Sequence, residues 1–272
     1  MKGTTVRRHP DRHYCDRRDR GFKSVSVVIP VINEVKSLHD TVNTIFGCAA
    51  ESILEVIIVV CDKTTAESRS ACRDLEKQYD GQISIIPQIL PFLGGALREG
   101  LQVARGSHVI LMFSDGESEP HSVVDLIREA KNHPEDVIVA SRWIEKNSFE
   151  NYPFLKTLLN YFFQKTFSFL YLKKITDFTF GYRLYPTPLM QTIDWQETGH
   201  SFVFESIVKP LRLGVGIREI PTTWKARSEG ESQLRIYMYF RYLWVGFKWR
   251  FLPRRLFYNE HGNAFGSSST GG

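Results

Sequence analysis

Several broad classes are closed to this chain by what it has little of. Its 272 residues include four cysteines, Cys15, Cys48, Cys61 and Cys72, with no CxxC spacing and no histidine pairing. No disulfide framework or structural zinc is implied, and a reduced, cytoplasmic setting is expected. No apolar leader segment opens the sequence. The longest uncharged run, Gly81 to Leu97, is 17 residues and is broken by Pro87, Pro91, Gly94 and Gly95. A spanning helix needs about 20 consecutive apolar residues, so the chain is expected to be soluble or to lie on a surface. There is no internal repeat, and no Gly-rich triphosphate loop with Arg or Lys follows the first apolar run, which disfavours a nucleotidyltransferase.

What is present suffices for a core. Hydrophobic residues make up 42% of the chain, enough for one large α/β domain or two small ones, and a wholly disordered or fibrous chain is excluded. The formal charge of +5 is unevenly placed. Residues 1–23 carry 8 Lys/Arg against 3 Asp, and Arg235 to Arg255 holds 6 basic residues and no acid. The body between them, Ser24 to Leu234, has 21 basic residues against 26 acidic and is net −5. An acidic body without a recognisable nucleic-acid module argues against nucleic acid, although a basic isoelectric point usually suggests it.

β-rich apolar runs at Val25–Pro30, Glu55–Cys61, Ile83–Ile86, Val109–Phe113 and Val137–Ala140 alternate with amphipathic stretches. Helices are predicted at Val35–Phe46, Ala66–Tyr79, Gly95–Ala104 and Ser122–Asn132. This alternation specifies a mostly parallel sheet with crossover helices. Residues 1–23 read as a flexible basic arm and 259–272 as a flexible tail.

Past residue 150 the texture changes. Phe149–Leu172 and Arg235–Tyr258 hold 9 and 10 of the 35 aromatics. In the first window Lys156, Asn160, Gln164 and Ser168 recur every four residues, and Leu155, Leu158, Leu159, Phe162, Phe163, Phe169 and Leu170 fill the remaining surface. That pattern is an amphipathic helix, about 153–172, with a wide apolar face, suited to a core or to a membrane surface. The second mixes aromatics with Arg241, Lys248 and Arg250, a composition that suits the headgroup layer.

In an open parallel sheet ligands bind beyond the carboxyl ends of the strands. Three such ends carry acids: Pro30-Val-Ile-Asn-Glu34, Cys61-Asp62-Lys-Thr-Thr65 and Ser114-Asp115-Gly-Glu117-Ser-Glu119. Three carboxylates within five residues repel one another unless a cation sits among them, and Mg²⁺ or Mn²⁺ with substrate phosphates would resolve this. Taken alone, the triplet reads more readily as a solvated turn before a helix N-capped by Ser122. Ahead of it lies a small-residue pattern, Leu93-Gly94-Gly-Ala-Leu-Arg-Glu-Gly100-Leu-Gln-Val-Ala104-Arg-Gly106, which permits close helix–sheet packing. After it come Ser141-Arg142, then Asp177-Phe-Thr-Phe-Gly181-Tyr182-Arg183, then Glu219 to Arg235, which contains Arg227-Ser-Glu-Gly230-Glu-Ser232.

In this order the motifs resemble glycosyltransferase family 2, and within it the branch of dolichol-phosphate mannosyltransferase and related polyprenyl-phosphate glycosyltransferases. The resemblance runs from about Ser24 to Arg235. It implies a GT-A fold, Rossmann-like with a mostly parallel sheet flanked by helices, spanning 24–235. Amphipathic interfacial helices fall in the C-terminal half, and 236–258 forms an aromatic, basic membrane-interface segment. It implies a nucleotide-sugar donor (GDP- or UDP-linked), Mg²⁺ or Mn²⁺, inversion at the sugar and a polyprenyl phosphate acceptor on the cytoplasmic face of a membrane. It leaves room for a homo-oligomer or a transmembrane partner.

Residue by residue, the resemblance places Pro30, Ile32, Glu34, Cys61, Asp62, Gly94, Asp115 and Gly116 around the nucleotide-sugar. Asp115, Glu117 and Glu119 fall at the cation. Arg142, Arg183 and Arg227 face donor or acceptor phosphates and count as catalytic with Asp115 and Glu117. Ser232 and Arg235 join the arginines at the acceptor phosphate. Ile32 replaces a usual Tyr, Cys61 an acid, Glu117 an Asp and Gln233 a Lys. Arg235 is placed to substitute for that Lys. The rival readings are a family 2 enzyme with a soluble sugar or protein acceptor, which would need a carboxylate base such as Asp177 or Glu205, and a non-catalytic nucleotide-binding scaffold on a membrane.

Overall fold

The computed structural model describes residues 21–146, 148–149, 154–225 and 236–258. The arm before residue 21, the tail from 259, and Arg227, Ser232 and Arg235 lie outside them. Seven strands form one sheet: β1 (Val25–Val31), β2 (Ile53–Val60), β3 (Ile83–Pro87), β4 (His108–Leu111), β5 (Val137–Ser141), β6 (Arg183–Pro186) and β7 (Ile217–Pro221). Their order is β3-β2-β1-β4-β6-β5-β7. Each of the five expected runs is a strand, with ends displaced by one or two residues. Helices α1 (Lys36–Ala49), α2 (Ala66–Gln78), α3 (Phe92–Val103) and α4 (Ser122–Asn132) connect them.

Side chains alternate across each strand, so every strand feeds two cores. Val25, Val27, Ile29 and Val31 of β1 pack with Leu38, Val42, Leu75 and Leu126 on one face. Val28, with Val59 of β2 and Leu111 of β4, packs on the other face against Leu97, Phe202 and Phe204. The small-residue pattern of α3 sits on this second face. A Cβ added at Gly106 would come within 2.6 Å of the Ser26 backbone nitrogen, so glycine is required for close packing there.

Two features depart from the sequence reading. Ser122 does not cap α4: it is the first helical residue, and its hydroxyl pairs with Thr222 Oγ1 at 2.8 Å. Strand β6 runs antiparallel to both β4 and β5 and separates them. Its four residues carry no period of their own, and pairing to two neighbours makes them a strand. The remaining helices are α5 (Phe154–Tyr171), α6 (Thr187–Thr192), α7 (Ser201–Leu213) and α8 (Ile236–Phe251).

At the amino end of β4, His108 is buried, with Nε2 donating to Pro134 O at 2.9 Å and Nδ1 3.0 Å from Ser107 Oγ. Burial pushes its pKa below the ordinary 6.5, only partly opposed by the Pro134 carbonyl. Below pH 6.5 the unfolded chain protonates first, so this contribution to stability is present above that pH and is lost as pH falls through the folded value. Thermal melts between pH 7 and 5 should show a declining midpoint, and His108→Gln should flatten that decline.

Candidate active site

Strands β1, β2, β4, β5 and β7 run in one direction, and β6 begins where they end. The topology therefore delivers Pro30–Glu34, Cys61–Asp62, Asp115–Glu119, Ser141–Arg142, Asp177–Arg183 and Thr222–Lys225 to one edge. Chain order reverses between β1 and β4, and the crevice beyond such a reversal is where open α/β sheets bind ligands.

On the β1–β2 side, Thr64 is a buried cross-link. Its hydroxyl donates to Val31 O at 2.7 Å and accepts the Cys61 N–H at 2.9 Å. Arg69 donates to the Cys61 and Thr64 carbonyls. Asp62 is left exposed, beside the half-buried Cys61 and the exposed Ile32. The Glu34 carboxylate accepts the Ile32 and Asn33 N–H groups at 2.7 and 3.0 Å. It shapes the loop it belongs to.

Beyond β4, Asp115 is 6% exposed, and its Oδ1 accepts the Glu117 N–H at 3.1 Å. Gly116 stands at φ +78°, where a side chain would be strained. That turn separates the two carboxylates. Glu117 Oε2 accepts the Trp224 indole N–H at 3.2 Å. Glu119 turns away to His121, at 2.8 Å from Nδ1. Burial raises the Glu119 pKa, but the His121 contacts outweigh it and leave the carboxyl below its ordinary range. Among the described residues no three His, Cys, Asp or Glu side chains form a metal-binding group. The expected triad of Asp115, Glu117 and Glu119 is thus not assembled, because Glu119 is committed to His121.

A cleft of about 330 Å³ opens on the α1 side of this loop, bordered by Lys36, Gly116, Glu119 and Lys225.

Past β5, Arg142 is buried and grips Asp177 through two hydrogen bonds of 2.8 and 3.0 Å. Burial would raise the Asp177 pKa, yet Arg142, with Arg183 and the Thr179 N–H, holds it below the ordinary carboxylate value. Glu219, given no role in the sequence reading, fastens the same segment by accepting the Thr176 and Asp177 N–H groups. Arg183 is fully buried and donates to the carbonyls of Val203 and Phe178, so it braces the core beneath the edge. Gly94 is likewise a packing position: a Cβ there would lie 2.6 Å from Phe202 Cβ and 2.7 Å from Gly199 O. Glu205 is fully buried against Lys209 at 2.7 Å, remote from any role as an exposed base.

The model of the family described as Glycosyl transferase family 2 matches residues 26–193, more than half of the chain. The chain belongs to glycosyltransferase family 2. Its curated relatives include the undecaprenyl-phosphate mannosyltransferase of Micrococcus luteus, 25% identical over 217 residues (77% of this chain, 87% of that protein). The dolichol-phosphate mannosyltransferase of Pyrococcus furiosus is 25% identical over 231 residues, covering 83% of this chain and 64% of that protein. Among solved structures, the glucosyl-3-phosphoglycerate synthase of Mycobacterium tuberculosis with Mn²⁺, UDP and phosphoglyceric acid matches with a TM-score of 0.64 at 15% identity. That match covers 85% of this chain and 80% of the other, and it establishes the GT-A-like fold. The same synthase has also been solved with Mg²⁺ and UDP.

The donor set of this glycosyltransferase fits a hard divalent cation. Mg²⁺ is commonly held by one or two carboxylates while substrate phosphates and water complete its shell. Asp115 and Glu117 would be the pair to hold it, and the buried Ser114 and Ser118 hydroxyls beside them have no hydrogen-bond partner among the described residues.

The lipid-side expectation concerns α5 and α8. On α5 the inward surface is mixed: Gln164 is buried and bonds Phe178 N, Thr179 Oγ1 and Asn160, and Phe167 and Tyr171 pack into the core beside it. Leu158, Leu159, Phe162 and Phe169 are exposed. On α8, Tyr242, Val245 and Trp249 pack inward, and Phe240, Trp244, Phe247 and Phe251 form an exposed stripe at spacings of four, three and four. The two helices touch where the Tyr171 hydroxyl donates to Gly246 O and Arg250 donates to Leu170 O. Among the described residues no helix is long and apolar enough to cross a membrane.

Proposed function

We propose that this glycosyltransferase moves a hexose from a GDP- or UDP-linked donor to the phosphate of a polyprenyl or dolichyl phosphate on the cytoplasmic face of a membrane. The outward aromatic stripes of α5 and α8 carry this reading. Large exposed apolar patches on a domain mark interaction or membrane sites, and Lys165, Lys173, Lys248, Arg250, Arg254 and Arg255 lie on or beside the same elements as the exposed apolar residues of α5 and α8. Each cation near an anionic leaflet contributes roughly 1 kcal/mol. The relatives support the acceptor class, since their names specify undecaprenyl and dolichol phosphates and mannose as the sugar.

The nucleophile fits the same reading. The second pKa of a phosphate monoester is about 6, so the acceptor oxygen is anionic at neutral pH and needs no strong base. A hydroxyl acceptor would need one, yet Asp177 is held by Arg142 and Glu205 by Lys209. A phosphate oxygen attacks the anomeric carbon in line, the bond to the donor's β-phosphate oxygen breaks, and the configuration inverts. A divalent cation held by Asp115 and Glu117 would offset the charge of the departing nucleoside diphosphate. In this reading Asp62 and the Ile32 loop border the nucleoside. Arg227, Ser232 and Arg235 collect the acceptor phosphate, and Arg142 and Arg183 act by positioning Asp177 and the edge around it.

The test is incubation with radiolabelled GDP- and UDP-sugars, a short polyprenyl phosphate and Mg²⁺ or Mn²⁺. Label should enter an organic-soluble product from one donor and stop with EDTA. Transfer only to a water-soluble sugar or protein would overturn the lipid acceptor.

A further inference from the structure

We propose that Trp224 is a positioning residue for the Glu117 carboxylate. The proposal rests on the reading of Glu117 as a cation ligand. Glutamate at this position is one methylene longer than aspartate and has one more rotatable bond, so its carboxylate must be aimed by something outside its own turn. The Trp224 indole supplies that: its single N–H donates to Glu117 Oε2 at 3.2 Å, from 107 residues further along the chain.

The indole is itself held firmly. Trp224 is 9% exposed and belongs to the core beneath the edge. Its backbone N–H donates to Ser148 O at 2.7 Å, and its backbone pairs with both Ser118 and Phe149. On one side Lys225 N donates to Glu117 O at 3.2 Å; on the other Thr222 N donates to Ser141 O and its hydroxyl meets Ser122. The segment 222–225 thus clamps the acidic turn to the end of β5. Partners that orient a metal ligand affect affinity almost as the ligands themselves do, typically by 10- to 100-fold.

The test measures Mn²⁺ binding by the electron paramagnetic resonance signal of free Mn²⁺, with GDP or UDP present, and without turnover. Trp224→Phe keeps a ring and removes the N–H. Mn²⁺ affinity should fall about 10-fold or more, while nucleotide affinity without metal and the thermal midpoint stay near the parent's. If Trp224→Phe fails to fold, β-(3-benzothienyl)alanine at position 224 keeps the two-ring outline and replaces the N–H with sulfur. Glu117→Ala runs beside it. Binding retained in the Trp224 variant but lost in Glu117→Ala sinks the positioning role alone. Binding retained in both removes Glu117 from the cation site, and a parent that binds no Mn²⁺ removes the cation reading; either overturns the proposal as well.

Discussion

Replacing Asp115 with Ala should cut sugar transfer by about 10³-fold, roughly 4 kcal/mol of barrier. Asp115 is the most buried carboxylate of the acidic turn, and it lies at the crevice between β1 and β4. Its Oδ1 also holds the Glu117 N–H, so the substitution removes a charge and loosens the turn together. Asp115→Asn separates the two effects. An amide oxygen can still accept that N–H, so Asn should keep the turn and still lose most turnover. Neither change touches α5 or α8, so both variants should pellet with anionic vesicles as the parent does. Unchanged transfer by Asp115→Ala would defeat the enzymatic assignment of this site and favour a nucleotide-binding scaffold. A parent that stays in the supernatant at low salt would defeat the interfacial reading instead.

The largest stability effect is expected from Lys209→Met, a loss of about 3–5 kcal/mol and a fall in melting midpoint of roughly 10 °C. Lys209 and Glu205 are both fully buried one turn apart on α7, 2.7 Å from each other. Lys209 also donates to Asp194 O and sits 3.9 Å from the centroid of the Trp249 ring. Burial drives the Lys209 pKa down, and Glu205 opposes that shift. Removing the cation leaves the Glu205 carboxylate unpaired in the core, beside the Gln196 and Glu197 N–H groups it accepts. Because Trp249 belongs to α8, the loss should also loosen α8 from α7. Glu205→Gln should cost less, since its amide oxygen still accepts a backbone N–H. A Lys209→Met midpoint within 2–3 °C of the parent's, equivalent to about 1 kcal/mol, would show that the pair contributes little.

Much of the architecture was legible because it is local. Alternating apolar strands and amphipathic helices follow from periods of two and 3.6, and α4 occupies the predicted Ser122–Asn132. The acidic turn could be placed at a strand end for the same reason. Strand β6 was not legible, because four residues become a strand only when β4 and β5 lie on either side. The orientation of α5 was open too: its spacing separates polar from apolar faces without saying which meets the core. The fold answers with a mixed inward surface, Gln164 bonding the 178–179 segment while Phe167 and Tyr171 pack into the core.

The site divides along the same line. From the sequence alone came the parallel sheet and the carboxylates at its strand ends, because residue type and short spacing encode them, and a resemblance of the ordered motifs to the family. Only tertiary structure decided what each charged group faces: Arg142 meets Asp177, Arg183 the carbonyls of Val203 and Phe178, Glu119 His121 and Glu117 Trp224. A buried charge must be satisfied by whatever the fold brings within about 3 Å, and most of these partners lie tens of residues away along the chain.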